Sequence, residues 1–103
     1  MQILRTDEVD NFIESSTTLV QKHVDDSICL LEQYGHFLRM PHAKPVGGGL
    51  WELRIRTRPA IRILYGFCHR TPILLVAFKK QQSAIPRNLF DKARRLFGTM
   101  CNY

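Results

Sequence analysis

Arginine and lysine are the side chains through which this chain can do chemistry, and they are unevenly placed. Lys and Arg together number 15 against nine Asp and Glu, a formal net charge of +6 over 103 residues. Residues 1–40 carry a net −4 and residues 41–103 a net +10. Within the basic segment, Arg54, Arg56 and Arg62 sit in two alternating apolar–polar runs. Lys79 and Lys80 close a third run, and Lys44 precedes a triple glycine. A guanidinium donates paired hydrogen bonds to phosphate oxygens, and each neutralised phosphate releases counterions, so this distribution favours a phosphate-rich partner. A solvated cationic surface and an acidic protein partner are the competing readings.

Other chemistries find less support. His23 falls on a helix among acids and His69 in a distant hairpin turn, which leaves His36 and His42 flanking a loop before the basic runs. Of these, His42 is the candidate. No His/Cys/acid spacing suggests zinc, and no Ser or Cys triad is apparent. Gly47, Gly48 and Gly49 are too short a run, without the Lys-Thr ending, for a phosphate-binding loop, and read as a flexible entry to a strand. No metal or cofactor is expected. Cys29, Cys68 and Cys101 are odd in number and are expected as free thiols in a reducing cytosol. No apolar run approaches a membrane span, and the acidic start (Asp7, Glu8, Asp10, Glu14) is no signal peptide, so a cytoplasmic location is expected.

The elements that must position these residues follow from periodicity. A composition 45% hydrophobic and 23% charged is globular, and the length fits one domain over 1–103. Residues 2–5 suit a short strand. Thr6 or Asp7 caps a helix through about Glu14, and a second helix runs from about Thr18 to Tyr34, stopped by Gly35. Residues 36–49 read as a loop. From Leu50 the period is two: Trp51, Leu53 and Ile55 face one way, Glu52, Arg54 and Arg56 the other, and a second run over 61–67 pairs with it. A three-residue turn (Arg58, Pro59, Ala60) places Arg56 opposite Arg62. Like charges so paired are unfavourable unless an acid or a bound anion offsets them, and Glu52 is the only acid on that face. Ile73 to Phe78 is apolar on both faces, as in a covered central strand. Pro86 opens a last helix that Gly98 stops. The expected class is α+β, with an N-terminal helical hairpin and a C-terminal helix packed on one face of a small, mostly antiparallel sheet.

The stretch GGGLWELRI, then IRILYGF, then LLVAFKKQ with Pro86 opening a helix, resembles the RelE/ParE superfamily of bacterial toxins. The nearest branch by these motifs is the phage-derived HigB-like toxins. The resemblance runs from about Thr6 to Phe97. It implies a RelE-like fold, a type II toxin–antitoxin system and cleavage of mRNA on the ribosome. It also implies an antitoxin partner, usually with a helix-turn-helix domain. Arg54 matches the arginine of the ELR motif, Arg62 that of RILY, and Lys80 the lysine after the fourth strand. Residues 81–85 depart from the lysine- and threonine-rich run often found there, and the tail after Gly98 has no counterpart.

Metal-free RNA cleavage of this kind is in-line attack by a 2′-hydroxyl on its own phosphate, with a base, an acid, and cations to hold the developing charge. Arginine suits the charge-holding role, which falls to Arg62, with Arg54 or Arg56 beside it. Lys79 or Lys80 is the candidate proton carrier, provided that the neighbouring cations lower its pKa, and Lys44 and His42 are candidate RNA contacts. The account requires that these guanidinium groups are not already neutralised within the molecule. Two alternatives stand: a ParE-like inhibitor that binds DNA gyrase without cutting, and a degenerate member that only binds RNA or its antitoxin.

Overall fold

A computed structural model describes residues 2–102, so Met1 and Tyr103 lie outside it. The order is β1 (Leu4–Arg5), α1 (Asp7–Glu14), α2 (Thr18–Tyr34), a 3-10 turn (Gly35–Phe37), β2 (Ala43–Gly47), β3 (Leu50–Ile55), β4 (Ile61–Cys68), β5 (Thr71–Lys79) and α3 (Arg87–Met100). The chain is α+β. Its five strands form one sheet in the order β1-β5-β4-β3-β2, antiparallel except for the β1–β5 pair.

Local chemistry explains the helix starts. The Thr6 hydroxyl accepts from the Val9 amide and itself donates to the Leu75 carbonyl at 2.8 Å, so one side chain caps α1 and fastens it to the sheet. Asp7, Glu8 and Asp10 in the first turn complement the positive end of the helix. Thr17 caps α2 in the same way.

The helices do not share a face. Val9, Val24 and Leu31 of α1 and α2 pack on Leu53, Ile55, Ile61, Ile63 and Tyr65. Ala93, Phe90 and Phe97 of α3 pack on Leu50, Leu64, Leu75 and Val76, on the reverse side. The sheet is therefore covered twice, which is the reason Ile73 to Phe78 is apolar throughout. On the α3 side the ring of Phe97 lies against bare backbone: a Cβ at Gly66 would stand 2.7 Å from Phe97 Cε1.

Five further expectations are corrected. The segment read as a loop holds β2. The triple glycine is the tight β2–β3 turn, with φ of +94°, +63° and +78°, in place of a flexible entry. The β3–β4 connection spans residues 56–60, odd as the alternation demands but longer than the expected three, so Arg54 and not Arg56 faces Arg62. Helix α3 continues past Gly98 to Met100. Cys68 and Cys101 are joined in a disulfide with Cα atoms 5.5 Å apart, and only Cys29 is a free, exposed thiol among the described cysteines. The two bridged residues are 33 positions apart and meet only because α3 lies back across the end of β4.

Strand β2 is an outer edge. Arg54 donates its amide to the His42 carbonyl at 2.8 Å. Bonded and non-bonded pairs alternate along an antiparallel ladder, so Pro45, opposite Trp51, occupies a position whose amide would face outward.

Candidate functional site

Alternation along β3 and β4 puts Glu52, Arg54 and Arg62 on the α3 side of the sheet. They lie toward the end that carries the β3–β4 connection. Lys44 joins them from β2, opposite Glu52 in the ladder. The Glu52 carboxylate lies 3.6 Å from Arg62 Nε and 3.8 Å from Arg54 Nε. One carboxylate thus serves two guanidinium groups that face each other across neighbouring strands, which leaves a surplus positive charge. Alternation left either an acid or a bound anion to offset the opposed arginines, and the structure gives that place to Glu52, so the face is not an open one.

The two arginines differ in access. Arg62 is only 5% exposed, and its Nη1 donates to the Ile61 carbonyl. Burial, and secondarily the charge of Arg54, pull its guanidinium below the usual arginine value, while Glu52 acts in the opposite direction. The expectation of Arg62 as an open phosphate clamp is corrected accordingly: it is a buried, paired group. Arg54 turns its Nε inward, buried and without a hydrogen-bond partner, and sends its outer end to Met40 Sδ at 3.2 Å.

Arg54 also lines a depression of about 270 Å³ at the end of β3. Arg56, just past β3, and His42, just before β2, line it from the sheet, and His23, Asp26 and Ser27 line it from α2. The sequence sets His23 among acids and away from the basic residues; the structure brings it to them, because α2 passes beside β3. The available signal was spacing: His23, Asp26 or Ser27, and Leu30 repeat at helical intervals beside the inner stripe of Val24, Ile28 and Leu31.

The lysines separate. Lys79 pairs in register with Ile61, on the α1–α2 side, and lines two other hollows with Phe12, one of them also with Arg58 and Pro59. Lys80 follows the strand, exposed, with its amide donating to the Ala60 carbonyl. The expected cluster of Arg54, Arg62 and Lys80 with Arg56, Lys79, Lys44 and His42 therefore resolves into parts. Arg54, Arg62 and Lys44 gather around Glu52, Arg56 and His42 meet Arg54 at the depression, and Lys79 lies on the other side of the sheet.

An aromatic group occupies the far end of the α2 side. His36 stacks on Phe67 with centroids 3.7 Å apart, and Arg39 lies 4.9 Å over the Trp51 ring. Trp51 is therefore covered by its own chain. Among the described residues, no helix is long and apolar enough to cross a membrane, and no group of three or more His, Cys, Asp or Glu is placed to hold a metal ion.

A family model described as "Phage derived protein Gp49-like (DUF891)" matches residues 11–98, and the chain belongs to that family. No curated protein is a significant match to the sequence.

Proposed function

We propose that this member of the Gp49-like family is a toxin of a type II toxin–antitoxin pair, with the RelE-like fold of the HigB-like branch, acting as a ribosome-dependent endoribonuclease in the cytoplasm. The observation that carries this reading is the pair of arginines sharing a single carboxylate. A site built so keeps a fixed excess of positive charge at one end of the sheet, and a phosphodiester supplies the missing anion. The outer end of Arg54, with Arg56, Lys44 and Lys80, is the contact to the RNA backbone. Arg62, being buried, is a positioning residue that holds Glu52 and thereby Arg54. Chemistry then needs no cofactor: positioning and charge stabilisation support attack by the 2′-hydroxyl on its own phosphate. The partners of this reading are the ribosome with its mRNA and a cognate antitoxin, of helix-turn-helix type in the HigB-like branch.

Mapping RNA 5′ ends in translating cells tests the proposal. New ends inside coding regions are expected on expression, and Arg54→Ala should weaken them by roughly 10²–10³-fold, as for loss of one charge-stabilising donor. A second reading has a specific observation behind it: the burial and pairing of Arg62 also suit a protein that binds without cutting. DNA cleavage complexes with no new mRNA ends would move the assignment to a gyrase inhibitor, and neither signal would leave a non-catalytic binder.

A further inference from the structure

We infer that the depression at the end of β3 is where the RNA is cut, with His23 and His42 as the proton-transfer pair. This rests on the nuclease reading and relocates its chemistry. Arg62 is 5% exposed and held by Glu52 and the Ile61 carbonyl, so a phosphate cannot reach it without displacing its partners. The inner edge of Arg54 is likewise buried. Arg54, Arg56 and the two histidines line one space of about 270 Å³ at the end of β3, outside the paired group around Glu52. A volume of that size admits a sugar–phosphate unit, and the two histidines reach it from different elements, α2 and the turn before β2. His42 is fixed in register with Arg54 by the bond from the Arg54 amide to its carbonyl.

Imidazole is the side chain best suited to accept and donate protons near neutral pH, and two of them flanking a phosphate supply both halves of the reaction. One neutral imidazole takes the 2′-hydroxyl proton as the 2′-oxygen bonds to phosphorus. The P–O5′ bond breaks, and the other, protonated imidazole gives its proton to the departing 5′-oxygen. The products are a 2′,3′-cyclic phosphate and a 5′-hydroxyl, and the proton count is unchanged. The charged groups lining the space with the pair are Arg54 from β3, Arg56 just past it, and Asp26 from α2. Asp26 is itself engaged by Lys22 at 3.3 Å. The arginines hold the charge that builds on phosphorus.

The test uses the full chain with mRNA on translating ribosomes, comparing the wild type with His23→Gln and His42→Gln. Both positions are outside the buried core, so folded variants are expected, and circular dichroism checks this. Each substitution should slow cutting by roughly 10²–10⁴-fold, the span of general acid–base contributions, and remove one limb of the bell-shaped pH profile. In parallel, the imidazole NMR signals of both histidines in the wild type should shift on adding an oligonucleotide whose 2′-hydroxyl is replaced by hydrogen. Wild-type cutting that leaves cyclic phosphate ends, with both variants cutting at the wild-type rate, overturns the histidine assignment and leaves the nuclease reading intact. Unmoved imidazole signals in the presence of bound oligonucleotide overturn it as well. A wild type that produces no RNA ends overturns the nuclease reading and this inference together.

Discussion

Replacing Glu52 by Gln isolates the arrangement on which the proposed site depends. The substitution keeps the shape and removes the charge that two opposed guanidinium groups share. At 3.6 and 3.8 Å, each contact carries roughly 4–5 kcal/mol of Coulomb attraction at an effective dielectric near 20. Desolvation of Glu52 and Arg62, both buried, offsets much of that in the folded protein. The measurable quantity is the cost of leaving one side unpaired, about 3–5 kcal/mol for a buried pair. Arg54 is partly exposed and its share is screened by water, so the lower end, about 3 kcal/mol, is expected. Against a total stability of roughly 5–15 kcal/mol, that is a visible loss in a urea titration at low salt. The variant should also gain an appetite for oxyanions. Sulfate held at about 100 times its dissociation constant returns roughly 2.7 kcal/mol. Chloride at matched ionic strength should return much less, and the general effect of sulfate on folding is removed by the same comparison in the wild type. An E52Q protein within about 0.5 kcal/mol of the wild type, a change of the size typical of neutral surface substitutions, would refute the reasoning. So would sulfate raising both proteins equally.

Three further outcomes follow from the packing. Tyr65 is fully buried with a hydroxyl that has no hydrogen-bond partner, so Tyr65→Phe should be neutral or up to about 1 kcal/mol stabilising by thermal or urea unfolding. Burial raises the Tyr65 phenol above its usual value, so the folded state keeps a proton that the unfolded chain releases above about pH 10. Stability from this group is therefore constant below that pH and falls above it, by up to about 1.4 kcal/mol per pH unit, and Tyr65→Phe should lack this share of the decline. Cys101→Ser should cost about 3–4 kcal/mol for a loop closed over 33 positions, and dithiothreitol should bring the wild type to the same midpoint. Gly66→Ala should cost about 1–3 kcal/mol because its methyl meets the Phe97 ring, and adding Phe97→Leu should recover part of the loss.

Most of the fold was legible because it is written in short-range periods. The two-residue alternation from Leu50 and the steps of Val20, Val24, Ile28 and Leu31 located β3, β4 and α2, and Thr6 marked the start of α1. What failed was long-range. Nothing local in Arg87–Met100 says which face of the sheet it covers, although the doubly apolar β5 implied two covers. The Cys68–Cys101 bridge depends on that same docking. The site was legible in part: parity set two arginines opposite each other with Glu52 as the one acid on their face, but could not say whether that acid or a bound anion offsets them, and Glu52 does. Parity could not supply the length of the β3–β4 connection, so the arginine opposite Arg62 was misplaced by two residues. His23 escaped notice because its helix reads as an acidic surface, and only the tertiary path of α2 carries it to Arg56.

Pro45 has a consequence for how this molecule meets others. Its position withdraws an amide proton from the rim of the sheet, while the opposite rim is the two-residue β1. A row of free backbone donors and acceptors is what lets a stranger's chain zip on as one more ribbon, and here the row is interrupted at one border and brief at the other. Companions are thus steered to grasp the molecule by its flanks, where side chains, and therefore sequence, decide who is admitted.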